Sequence, residues 1–186
     1  MDPVTIANEA TLIYDNITKN SNAVVTRILS LYDLTATKEA LLDSYTPGQT
    51  ITYITRVENT GSASLYNLTI VDDLANGTLQ YIDTSIEGYL NGSPIEVDVQ
   101  KTANTVTFKI DNVLNPNDNV LIIFETTTPT TNPEQITNTQ TITANGGSTT
   151  GPIVTAKPNP SATVTLANYV TLDITKAVDK TSIYSG

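Results

Sequence analysis

A lysine, a carboxylic acid and a carboxamide stand on the apolar faces of three strand-like segments. In LTATKEA, Leu34 and Ala36 share parity with Lys38; in NLTIVDD, Leu68 and Ile70 share it with Asp72; in ITNTQTI, Ile136 and Ile142 share it with Asn138. Strand residues two apart point to one face, so all three polar groups are directed into a core. One such residue alone is ordinarily an edge-strand or snorkelling side chain. Buried separately, each would lose its hydration without replacement. Buried together, they satisfy one another and compose a reaction. Burial lowers the pKa of an amine and raises that of a carboxylic acid, giving a neutral nucleophile beside a proton donor. The acid can then polarise the carboxamide carbonyl while ammonia leaves. The expected product is an intramolecular isopeptide bond between Lys38 Nζ and Asn138 Cγ, with Asp72 as the assisting acid. Asp73 is the neighbouring alternative acid, set apart by parity alone.

Composition removes most competing chemistries. The 186 residues carry 9 Lys+Arg against 19 Asp+Glu, a net charge of −10, which disfavours nucleic acid and anionic membrane surfaces as partners. With no Cys and no His, the usual zinc sites, disulfides and Ser-His-Asp arrangements are closed to it. No cofactor and no metal site are expected, and the only chemistry implied consumes its own residues once, unlike a turnover enzyme. NPNDN (115–119) offers oxygen ligands but lacks an EF-hand pattern and reads as a turn. Four sequons, at Asn16, Asn67, Asn76 and Asn91, are what chance gives in an Asn/Thr-rich chain. The tyrosines form no visible cluster and read as core and cross-strand residues. No apolar run is long enough to span a bilayer, and the start does not resemble a signal peptide, so an exported parent would hold this chain as an interior piece.

The elements that must position these groups are strands. Segments 50–59, 65–74, 79–84, 95–100, 105–110, 119–127, 136–144 and 161–175 are rich in β-formers. Turn signals such as Asn76-Gly77, Asn91-Gly92, Pro116-Asn117 and Asn145-Gly146 separate them. Many short strands at this spacing predict an all-β sandwich, with a short helical turn allowed around KEALLDS.

The chain also repeats itself. LDITKAVDKTSIYSG (172–186) echoes LTATKEALLDSYTPG (34–48), with Lys176 lying 138 positions (176 − 38) after Lys38. IANEATL (6–12) echoes ITNTQTI (136–142), with Asn8 lying 130 positions (138 − 8) before Asn138. The implied organisation is 1–33 as the C-terminal strands of a preceding repeat, 34–170 as a complete repeat, and 171–186 as the first strand of a following one. Asn8 and Lys176 are then the partial copies' counterparts of Asn138 and Lys38.

The blocks PGQTITY (47–53), ENTG (58–61), VDDL (71–74) with Gly77, and ITNTQTI (136–142) resemble the bacterial surface repeat family called domain of unknown function 11. The likeness covers roughly 34–145 and departs from the family at Ala75-Asn76, where proline is usual. The resemblance implies an immunoglobulin-like β-sandwich in tandem extracellular arrays on a bacterial cell or spore surface. Related Gram-positive pilin and adhesin domains carry Lys, Asp or Glu, and Asn in the roles assigned to Lys38, Asp72 and Asn138. The function expected is a structural stalk or spacer repeat whose partners are neighbouring repeats. The alternatives are an adhesin module binding a host ligand, and a fibre subunit assembling through its terminal partial repeats. A cross-link closing a loop of about 100 residues would stabilise by about 4.7 kcal/mol in the chain-entropy model, and it would tie the first strand to the last.

Overall fold

The computed structural model describes residues 4–28, 31–131 and 133–167. The N-terminal segment is a nested hairpin of β1 (Val4–Asn8), β2 (Thr11–Tyr14), β3 (Ile17–Asn20) and β4 (Val24–Ile28). Within it β1 pairs with β4 and β2 with β3, and neither ladder joins a larger sheet.

The described residues from 31 to 167 build a sandwich. Its strands begin with β5 (Thr35–Ala40), β6 (Ser44–Tyr45), β7 (Thr50–Glu58), β8 (Leu65–Asp72), β9 (Gln80–Tyr81) and β10 (Glu87–Leu90). They continue with β11 (Ser93–Ile95), β12 (Asp98–Lys101), β13 (Val106–Ile110), β14 (Asn119–Thr127), β15 (Gln135–Gly146), β16 (Ile153–Thr155) and β17 (Ser161–Leu166). One sheet runs β11-β10-β14-β7-β5, with β9 beside β14. The other runs β12-β13-β8-β15-β17-β6, with β16 beside β15.

Alternation decides what lies between the sheets. In β7, Ile51, Tyr53, Thr55 and Val57 are buried while Thr50, Arg56 and Glu58 are exposed. Leu68 and Ile70 of β8, Phe108 and Ile110 of β13, Ile122 and Phe124 of β14, and Ile136 and Ile142 of β15 fill the same space. Each large apolar side chain taken out of water here contributes roughly 1.5–3 kcal/mol. Tyr53, Phe108 and Phe124 form an aromatic chain at centroid separations of 5.6 and 5.0 Å.

Most strand segments appear where periodicity puts them, but 79–84 keeps only Gln80–Tyr81 as a strand and 95–100 is divided between β11 and β12. KEALLDS forms no helical turn: Lys38–Ala40 continue β5, because paired against β7 they bury the Lys38 side of the ladder. Contacts of the sandwich also begin ahead of residue 34. Leu31 N donates to Ser62 Oγ, and Tyr32 packs on the core. The residues from 168 onward, including Lys176, lie outside the described residues.

Candidate cross-linking site

Three strands from both sheets bring the site together. Lys38 projects from β5, the end strand of its sheet, across the core toward the opposite sheet. Asp72 is the last residue of β8 and lies opposite Gln140 of β15. Asn138, two residues before Gln140, shares its face, and both are buried. Lys38 Nζ donates to Asp72 Oδ2 at 2.5 Å, with both side chains fully shielded from solvent. Asn138 Nδ2 reaches the same oxygen at 3.4 Å. The lysine, acid and carboxamide picked out by parity therefore meet on one carboxylate oxygen.

The turn after β8 holds that carboxylate still. Asp72 Oδ1 accepts from Leu74 N at 2.9 Å, and Asp73 Oδ1 accepts from Ala75 N at 2.9 Å and from Thr139 N at 3.2 Å. Asp73 thus serves the backbone of the turn and of β15 and stays out of the cluster, as its parity requires. Leu74, Ala75 and Asn76 all adopt left-handed φ, at 48°, 51° and 57°. Each such non-glycine residue costs roughly 1–2 kcal/mol, so the surrounding bonds must hold the turn.

Burial dominates the electrostatics. Desolvation pushes the Lys38 pKa below its ordinary value, outweighing the opposing pull of Asp72 and Asp73. The ammonium also lies 4.8 Å from the Tyr53 ring centroid and 5.6 Å from that of Phe124, so aromatic faces replace part of its lost hydration. Burial, followed by the Asp72 charge, holds the Tyr53 hydroxyl well above the usual phenol range. The Asn138 amide lies close enough to oppose that shift, although no hydrogen bond forms between them. Tyr53 Oη and Asn138 Oδ1 are both buried without a hydrogen-bond partner. An unpaired amide oxygen leaves one acceptor of Asn138 open to a donor at its carbonyl.

Sequence reasoning missed two members of the cluster. Gln140 Nε2 donates to Asp72 Oδ2 at 2.9 Å, and Thr55 Oγ1 donates to Gln140 Oε1 at 2.9 Å. Both are buried. The signal was present, since Gln140 has the parity of Asn138 in ITNTQTI and Thr55 that of Tyr53 in β7. Asn138 also lies on the penultimate long strand of the sandwich and not the last, because β17 follows β15 and pairs beside it. Asn8 stands on β1, exposed and outside the cluster. Residues 115–118 form the expected turn, closed by Asp118 N donating to Asn115 O at 3.0 Å. Among the described residues no group of three or more Asp or Glu side chains is arranged to hold a metal ion, and no helix is long and apolar enough to cross a membrane.

No protein-family model matches the sequence, so the likeness to domain of unknown function 11 has no support at that level. No curated protein matches it either. Solved structures do match. The major pilin subunit of Bacillus cereus superposes with a TM-score of 0.55 at 14% identity, over 86% of this chain and 47% of the pilin. The full-length major pilin SpaD of Corynebacterium diphtheriae superposes with a TM-score of 0.54 at 14% identity, over 69% of this chain and 33% of the pilin. The fold is an immunoglobulin-like β-sandwich of the kind found in these pilins. The chain spans less than half the length of either.

Proposed function

We propose that this chain is a load-bearing structural module of a bacterial surface fibre or stalk, clamped by an isopeptide bond between Lys38 and Asn138. The observation that carries the reading is the burial of Lys38, Asp72 and Asn138 around one carboxylate oxygen at the junction of the two sheets. Similarity in fold to pilin subunits supports the structural setting.

The chemistry balances without an outside reagent. The neutral Lys38 amine attacks Asn138 Cγ, Asp72 relays the lysine proton toward the carboxamide nitrogen, the Cγ–Nδ2 bond breaks and ammonia departs. The Nζ–Cγ amide that remains is uncharged, so the buried ion pair is replaced by a group that is cheaper to bury. The bond would link β5 of one sheet to β15 of the other, and tension entering before β5 would bypass the strands between them. An extracellular position on a bacterial cell or spore surface follows from the same reading, as do neighbouring repeats or fibre subunits as partners.

Intact mass of the purified chain, with peptide mapping across Lys38 and Asn138, tests it. The expected result is a deficit of one ammonia with a joined peptide, restored to full mass in Asp72→Ala. A full mass in the folded wild-type chain after prolonged incubation would end the proposal.

A further inference from the structure

The nested hairpin at residues 4–28 is built like a part of the sandwich that already has a partner. In β1 and β4, Asn8 lies opposite Val24 and Thr5 opposite Arg27. In β15 and β17, Asn138 lies opposite Ala162 and Gln135 opposite Thr165. Counting along both ladders, the first strands are offset by 130 residues and the second strands by 138 throughout. The two hairpins thus have one register. Farther out the match slips by one residue: Tyr14 pairs with Ile17, whereas Ala144 pairs with Val154, the neighbour of Ile17's counterpart Thr155.

Their surroundings differ. On β15 the residues Asn138, Gln140, Ile142 and Ala144 are buried against β8 and the opposite sheet. Their counterparts Asn8, Ala10, Leu12 and Tyr14 are exposed, Leu12 at 67% and Tyr14 at 77%. Val24, the counterpart of buried Ala162, is 60% exposed. An isolated two-stranded hairpin is only marginally stable in water, and this one presents apolar side chains on the face its counterpart uses for packing.

We infer that the face of the 4–28 hairpin bearing Asn8, Leu12, Tyr14 and Val24 is a docking surface for a second sandwich unit of this same fold. That unit would present a free strand edge equivalent to β8, which Ala10 and Leu12 would line as Gln140 and Ile142 do here, with Asn8 just beyond them. Where the unit carries a lysine and an acid like Lys38 and Asp72, Asn8 would meet them and the same loss of ammonia would follow. The docking rests on register and exposure alone, and only the covalent step rests on the bond proposed above. A hairpin from one segment closing the sandwich of another would chain successive units mechanically.

The test places a partner in reach of the intact chain. A copy of residues 31–134 is fused ahead of the full 186-residue protein, so that its open β8 edge precedes the hairpin. A control carries residues 31–166, which already include a β15–β17 hairpin, in the same place. Hydrogen exchange over residues 8–28 and intact mass are read on both. Strong protection of those residues in the test fusion but not in the control is the expected result, with two ammonias lost in place of the parent's one. Protection with a single ammonia lost leaves docking standing and overturns the role of Asn8. Protection with no ammonia lost from any version upholds docking and rejects the Lys38–Asn138 bond itself. Equal exposure in both fusions overturns docking. So does an unfolded upstream unit beside a folded control, and so does a parent dimer abolished by Leu12→Ser and Tyr14→Ser, which would make the face a self-interface.

Discussion

Two lysine–aspartate pairs in this chain have nearly the same geometry and opposite surroundings. Lys38 Nζ lies 2.5 Å from Asp72 Oδ2 with both side chains at 0% exposure. Lys101 Nζ lies 2.6 Å from Asp83 Oδ2 with the side chains 54% and 64% exposed. The exposed pair gains little, because water screens it and two mobile side chains must be ordered to form it. The buried pair is costly to assemble and costlier to break, since either partner left alone is an uncompensated charge. Contact distance therefore does not separate a buried pair from an exposed one. The surroundings do, and at Lys38 these are the Tyr53 and Phe124 rings, Gln140 and Asn138.

The largest expected effect comes from Lys38→Ala. It removes the proposed bond and strands Asp72 in the core, costing about 3–5 kcal/mol for the broken pair alone. Chemical denaturation should show the loss, and a midpoint matching wild type would erase the contrast between the two pairs. Asn138→Ala is the next step down, because it retains the ion pair and prevents the bond. A loss of up to about 5 kcal/mol is expected from the absent cross-link.

The same variant carries a pH signature. Burial lowers the Lys38 pKa, so between that lowered value and the ordinary 10.5 the unfolded chain binds more protons than the folded one. Stability of Asn138→Ala should then rise with pH across that window, and below it the full penalty of charging a buried amine persists. In wild type the proposed bond would consume the lysine, and this slope should be missing. Denaturation midpoints measured at several alkaline pH values would decide it, and identical slopes in both proteins would mean that Lys38 still titrates.

Gln140→Leu sharpens the comparison further, since no counterpart of Gln140 attends Lys101. It deprives Asp72 Oδ2 of a donor and leaves Thr55 Oγ1 without its acceptor. A cost of about 1–3 kcal/mol and slower ammonia loss in time-resolved mass spectra are expected. The smallest effect belongs to Lys101→Ala, within about 1 kcal/mol and vanishing in high salt. A salt-insensitive loss there would show that exposure is the wrong criterion.

The candidate site was readable to different depths at different residues. Lys38, Asp72 and Asn138 stood out because a polar side chain in an apolar frame breaks a period of two. Gln140 and Thr55 obey the same parity but were passed over, since a glutamine between threonines and a threonine between β-formers look ordinary in sequence. Only their meeting across the core, 85 residues apart, shows them as one network with Asp72. The left-handed turn at Leu74–Asn76 was not foreseeable either, because non-glycine residues rarely adopt it without support from neighbours that sequence does not place.

Alternation and turn chemistry are local properties, and from them the sequence alone determined an all-β chain, most of the longer strands of its sandwich, which face of those was buried, and the internal repeat. The tertiary structure decided what those local rules cannot reach. It set which sheet each strand joined, placed three strands so that a lysine, an acid and an amide share one oxygen, and left the 4–28 hairpin unpaired with either sheet. Parity says that a side chain points inward; only packing between sheets says what it meets there.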